Sequence, residues 1–179
     1  MRRHNPIHCG RLSMIVGLAV AATVLPVAEA LAVPMHNDPN GFEGIPWGAA
    51  FSESDTFAQV EDTGRLQTYE LKSVSPALGT ARVDSMRFST IDGKFARVMV
   101  RYHGKDNHDR ILDFLQNQFG PVDRTPGQIA GGIVKFFDWQ GDDSEIILRY
   151  DVRTSQGIIF FESQVFRARF SESPSPSNY

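Results

Sequence analysis

The chain has 179 residues, 41% of them hydrophobic, with 18 basic and 21 acidic side chains for a net charge of −3. This length suits one domain with its own core. The mildly acidic balance disfavours a basic nucleic-acid stripe, and a single cysteine, Cys9, rules out an internal disulfide framework.

The first thirty residues read as an export signal. Arg2, Arg3 and Arg11 form a basic start, Met14–Val27 is an apolar run, and small residues favour cleavage after Ala30 or Ala32. The alternative is a retained anchor, but the run falls short of the ~18 apolar residues of a spanning helix and Pro26 interrupts its end. Cleavage after Ala30 removes three arginines and one glutamate, leaving 15 basic and 20 acidic groups and a net charge of −5. It also leaves the chain without cysteine, because Cys9 precedes the apolar run, where no lipid anchor is attached. These features point to a periplasmic or secreted protein that meets a membrane only through its signal peptide before cleavage. Residues 31–41, with two prolines and no hydrophobic period, are expected to be a flexible lead-in, and His36 within it has no assigned role.

A single domain is expected over 42–170. It opens with Phe42-Glu43-Gly44-Ile45-Pro46-Trp47-Gly48, in which glycines bracket an indole. Trp47 is either an exposed platform for a ligand or, with Phe42 and Ile45, a plug at one end of the core. Phe51–Phe57 is expected to form one helical turn capped by Ser52 or Ser54. Ala58–Glu61 and Leu66–Leu71 form a short hairpin across Asp62–Arg65, and Pro76 with Gly79 interrupts any regular structure beyond it. Ala81–Thr90 and Lys94–Tyr102 read as a hairpin closed by Asp92-Gly93. In its second strand Ala96, Val98, Val100 and Tyr102 alternate with Arg97, Met99 and Arg101, which predicts one packed and one wet face. A bulge is expected near Asp84-Ser85.

Asn107–Val122 is the best-determined element. Asn107 is the predicted N-cap, Ile111, Leu112, Phe114, Leu115 and Phe119 gather on one side, and Gly120-Pro121 ends the helix. After a loop at Pro126–Gly132, strands are expected at Ile133–Trp139, Glu145–Val152 and Gly157–Ser163, the last lying centrally because Ile158–Phe161 is apolar without interruption. Gln164–Phe170 is a further strand or short helix, and residues 171–179 a disordered tail. The fold class is therefore α+β: an antiparallel β-sheet packed by one main helix over 107–119, with the option of two helix-plus-three-strand units.

The common catalytic signatures are missing. There is no Gly-x-Ser-x-Gly elbow, phosphate loop or His-Glu-x-x-His, and no cysteine nucleophile after cleavage. His103 and His108 with Asp106 or Asp109 are weak candidates for a metal, since the same letters serve a strand-to-helix loop equally well and match no recurrent ligand spacing. No metal and no other cofactor is assigned. Asp142–Glu145 lacks the spacing of a calcium loop and reads as a solvated turn. Arg97 and Arg101, beside Arg82 or Arg87, are candidates for a small anion-binding patch.

Several of these motifs occur together in a known setting. The Phe42-x-Gly44-Ile45-Pro46-Trp47-Gly48 run, the Asp92-Gly93 turn, Phe119-Gly120-Pro121, Trp139-x-Gly141 and Leu148-x-Tyr150-Asp151 resemble a group of small uncharacterised exported proteins of Gram-negative bacteria, over most of residues 42–163. That group has no assigned activity, so the resemblance implies no catalytic residue. The architecture is also similar to small periplasmic adaptor and inhibitor domains built from a helix and an antiparallel sheet.

The resulting expectation is a non-catalytic periplasmic or secreted binding module that engages an envelope protein or small ligand through an open sheet face. The alternative is a small-molecule or lipid-binding protein, or a weak hydrolase, with Trp47, Trp139 and Tyr150 lining an aromatic cleft.

Overall fold

The computed structural model describes residues 33–122 and 133–171. The residues expected to form an export signal with its cleavage sites, those expected to form a loop at Pro126–Gly132, and residues 172–179, expected to be a disordered tail, lie outside the described residues. In chain order the elements are β1 (Val33–Pro34), β2 (Gly41–Phe42), β3 (Ile45–Pro46), β4 (Phe57–Asp62), β5 (Leu66–Leu71), β6 (Ala77–Leu78), β7 (Ala81–Arg82), β8 (Ser85–Ile91), β9 (Lys94–His103), α1 (Lys105–Phe119), β10 (Val134–Gln140), β11 (Ser144–Asp151), β12 (Gln156–Ser163) and α2 (Gln164–Ser171). The fold is α+β, an antiparallel sheet with a helix packed on it, as the alternation of strand-like runs around one amphipathic helix predicts.

The sheet has the order β1-β10-β11-β12-β9-β8-β5-β4. Two meanders, β4-β5-β8-β9 and β10-β11-β12, meet at their last strands, where β12 pairs antiparallel with β9 from Gln156↔His103 to Glu162↔Arg97. Only the two-residue β1 runs parallel, beside the end of β10. The expectation of a central apolar strand holds for β12, although only one of its faces is fully covered: Ile159 and Phe161 are buried, whereas Ile158 and Phe160 are partly exposed.

Each hairpin follows from its turn residues. Asp92 and Gly93 both have positive φ, at 52° and 71°, the twist that a two-residue connection between β8 and β9 requires. The expected bulge is displaced. Ser89 pairs with Arg97 and Thr90 with Phe95, so Ala96 is the extra residue. The offset lets Phe95 and Ala96 both turn inward, each with no exposure. The run from Ala81 is not one strand either, because β7 pairs with β6 and the chain turns at Val83-Asp84 before β8.

α1 begins two residues before the predicted cap. Gly104, with φ 89°, takes the N-cap position without a side-chain hydrogen bond, while the Asn107 side-chain amide donates to the His103 carbonyl at 3.0 Å. Positive φ at a residue with no Cβ lets the chain turn straight from β9 into the helix. At the other end Gly120 has φ 106° but ψ 157°, extended rather than left-handed helical, and its carbonyl accepts the Trp139 indole N–H at 2.9 Å. His108, Ile111, Leu115 and Phe119 form the buried stripe of α1, with Leu112 and Phe114 packed at its margin.

The rest of this side of the sheet is covered by residues 41–51. Phe51 stacks on Phe95 with ring centroids 5.2 Å apart, and Phe42 meets Phe161 edge-on at 4.8 Å. The segment is stitched to the start of β9 by Gly48 N–H to Phe95 O, Phe95 N–H to Ala49 O and Phe51 N–H to Gly93 O. The expected helical turn at Phe51–Phe57 is absent: Phe51 is drawn into the core, and the Ser54 hydroxyl accepts N–H bonds from Thr56 and Phe57 in a local turn. The described residues before α1 therefore supply four long strands and no helix, so Gly48–Tyr102 is not a copy of the helix-plus-three-strand unit formed by α1 and β10–β12.

Residues 33–40, expected to be a flexible lead-in, carry specific contacts. Met35 N–H bonds to Gln140 O, His36 N–H bonds to Phe119 O, and the Asp38 carboxylate accepts the Asp143 N–H. No helix among the described residues is long and apolar enough to cross a membrane.

Where the meanders join, the Tyr102 ring lies over Gly157, and a Cβ at 157 would run into it. Tyr102, His108 and Tyr150 lie nearly parallel, with His108 and Tyr150 centroids 3.8 Å apart. G157A is expected to cost roughly 1–3 kcal/mol through overpacking. Urea midpoints would check this, and the cost should shrink in a Y102L background that lacks the ring.

Candidate functional site

The two faces of the sheet differ in what covers them. α1 and residues 41–51 lie on one; among the described residues the other is open except where α2 crosses the end nearest the β8–β9 turn. Strand register arranges this open face in rows. One row reads Phe136, Arg149, Ile158, Arg101, Ser85; the next Asp138, Ile147, Phe160, Met99, Arg87; the last Gln140, Glu145, Glu162, Arg97, Ser89. An apolar middle is thus flanked by charged ends.

At the α2 end, Glu145 and Glu162 face each other across neighbouring strands, 2% and 5% exposed. Two such carboxylates are tolerable only with cations beside them. Arg97 Nε lies 2.9 Å from Glu162 Oε1, and Arg167 Nη1 of α2 lies 2.8 Å from Glu145 Oε2. The Arg97 guanidinium also sits over the Phe170 ring, 3.5 Å from its centroid. Burial first, then the Asp138 charge, pushes Glu145 up to about 7 against the pull of Arg167, with Glu162 adding to the rise. Burial likewise raises Asp138. These groups anchor α2 on the sheet.

At the opposite end the face hollows into a groove of about 740 Å³. Arg101, Arg149 and Ile158 lie in it, with His103, Asp84 and Asp151 at the rim. His103 Nδ1 lies 2.6 Å from Asp84 Oδ1, and Asp151 Oδ1 accepts the N–H groups of Arg153 and Thr154. Both rim carboxylates therefore already have partners.

The structure divides the residues singled out in the sequence. Arg97 and Arg101 share a face but not a patch, since four residue steps along β9 set them about 13 Å apart; Arg97 belongs to the α2 anchor and Arg101 to the groove. Arg87 is paired with Glu70 at 2.8 Å. Trp47, Trp139 and Tyr150 line no common cleft. Trp139 is fully buried and Tyr150 is 3% exposed against His108, while the partly buried Trp47 rests on Phe95 and donates its indole N–H to Ser144 Oγ at 2.8 Å. Trp47 thus occupies the plug position rather than that of an exposed platform.

The His103–Asp109 cluster is not gathered round a common point. His103 turns to Asp84, Asp109 pairs with Lys105 on the helix surface, and His108 is buried. No group of three or more His, Cys, Asp or Glu side chains suited to a metal occurs among the described residues. The Asp142–Glu145 turn is solvated only at Asp142 and Asp143, because Ser144 and Glu145 are buried.

His108 is the interior member of that cluster. Burial, then the nearby Lys135 charge, lowers its imidazole to about 4, and Tyr102, whose own pKa is raised chiefly by burial, keeps its proton. The Tyr102 hydroxyl and His108 Nδ1 share a hydrogen bond of 2.8 Å, and the buried His108 Nε2 has no hydrogen-bond partner among the described residues.

Arg149 was not legible as a site residue. Only the register Arg149↔Ile158↔Arg101 brings it beside Arg101, and Arg149 is separated from β9 in sequence by α1, residues 120–133 and β10. No protein-family model matches this chain, and no curated protein or solved structure does either.

The two shifted buried groups give stability opposing pH slopes. His108 titrates below its ordinary 6.5, so its contribution is lost as pH falls from about 6.5 to about 4. Glu145 titrates above its ordinary 4.5, so its contribution is lost as pH rises from about 4.5 to about 7. E145Q keeps an oxygen for Arg167 and removes the second slope. It should raise stability at pH 8 by on the order of 1–3 kcal/mol and steepen the loss on acidification from 6.5 to 4.5. Urea midpoints across that pH range would check both effects.

Proposed function

We propose that this chain is an exported, non-catalytic binding or adaptor domain, working in the periplasm or outside the cell, that engages an envelope protein or small ligand through the open face of its sheet. The observation that carries this reading is the row Ile147–Phe160–Met99, which crosses three central strands with Ile158 beside it. All four side chains are only partly buried. Their counterparts on the other face, Ile146, Phe161, Val98 and Ile159, are at most 3% exposed beneath α1 and residues 41–51. A contiguous apolar strip bordered by charge is the usual composition of a recognition surface.

Export is supported by the basic start and apolar run of the first thirty residues. Likeness to the small exported proteins of Gram-negative bacteria fits the same reading. The covered positions of Trp139 and Tyr150 favour the open face over an aromatic cleft.

Site-specific photocrosslinking in cells that make the protein tests this. A benzoylphenylalanine at position 160 is expected to give one dominant adduct, whose intact mass separates a protein partner from a small ligand. The same probe at Asp113, exposed on α1 on the opposite side, should give none. Equal labelling at both positions, or none at 160, rejects the open face as the working surface.

A further inference from the structure

The groove at the β9–β12–β11 end carries a more specific assignment, which rests on the open-face reading. We propose that Arg101 and Arg149, straddling Ile158, form a carboxylate-binding site for a small ligand with a single negative charge on an apolar body.

The register is the first reason. Ile158 pairs with Arg101 on one side and Arg149 on the other, so the two arginine backbones stand two strand spacings apart, about 10 Å. Side chains of that length can converge above the isoleucine on one group, and a guanidinium fork matches the two oxygens of a carboxylate.

The second reason is how charge is distributed on this face. Arg87 and Arg97 lie opposite Glu70 and Glu162 on neighbouring strands, and each is ion-paired. Arg149 has Phe136 and Ile158 as its cross-strand neighbours and makes no ion pair among the described residues. It is exposed and lines the same groove as Arg101. An oxyanion bound there would give it the carboxylate partner that Arg87 and Arg97 have within the chain.

The rim sets the ligand's charge. Asp84 is held by His103, and Asp151 by backbone N–H groups. Both carboxylates repel a second negative charge, which favours a carboxylate over a phosphate dianion. The floor sets the body: from the groove, Ile158 leads onto Phe160 and Ile147 in the next row, an apolar track for a chain beyond the head group. A volume of about 740 Å³ lies within the usual range for small-molecule sites.

Decanoate, decanol and inorganic phosphate are the probes, titrated into the ¹⁵N-labelled protein at pH 7.5. Decanoate should shift amides on β9, β11 and β12 around Arg101, Arg149 and Ile158, at least ten-fold more tightly than decanol or phosphate. R149A should weaken decanoate at least ten-fold, R149K should fall between R149A and the parent, and R101A/R149A should abolish the preference for acid over alcohol. R149A and R149K should keep the parent's thermal midpoint. Equal affinity for decanol and decanoate, phosphate binding more tightly than decanoate, or decanoate binding unchanged in R149A overturns the assignment. If decanol and decanoate shift the same open-face amides equally, only the carboxylate site falls and the open-face reading stands. If no probe shifts an open-face amide, the assignment falls, and the crosslink at 160 then decides the broader reading on its own.

Discussion

The pairing of β12 with β9 is the constraint on which the rest of the molecule depends. Neither meander is wide enough to bury a core by itself, and joining them produces a surface that α1 can cover. The junction requires a glycine at 157, because the Tyr102 ring must cross β12 to reach His108 and Tyr150. Through that crossing the central strand pair, the helix and β11 meet in one set of parallel rings. The buried imidazole is neutral there, hydrogen-bonded through Nδ1 to a phenol that does not ionise.

The same junction organises the opposite face. Since side chains alternate along each strand, the register that places Ile159 on Val100 beneath α1 also places Ile158 beside Arg101 on the open side. A slip of one residue would exchange the two sets and bury arginines. Core and candidate surface are thus products of one alignment. The α2 anchor follows from it as well: Glu145, Glu162 and Arg97 share a row, and Arg167 and Phe170 of α2 close over that row. The two ends of the face consequently differ in character, one filled by the protein's own charges and the other open as a groove.

Much of the architecture was readable from local chemistry. The Asp92-Gly93 turn, the three strands after the helix and the helix itself each follow from residues within a short window, whose backbone preferences and hydrophobic period act without distant partners. Where local reasoning failed, a tertiary contact outweighed it. Ser52 and Ser54 suggested a helical turn, but placing Phe51 among Phe88, Phe95 and Tyr69 fixed that backbone instead. Asn107 suggested a cap, but Gly104 let the chain turn out of β9 three residues sooner.

For the surface the balance is reversed. The sequence by itself determined that one face of β9 would carry Arg97, Met99 and Arg101 and that the other would be packed, because alternation is a property of a single strand. It did not determine that Arg97 would be committed to Glu162 and α2, that Arg149 would arrive beside Arg101, or that Trp139 and Tyr150 would be sealed inside. Those outcomes needed strand neighbours brought together from distant parts of the chain. Turn geometry and hydrophobic period are short-range terms that a sequence displays directly, whereas the company a charged side chain keeps is set by sheet order and register, which exist only once the chain has folded.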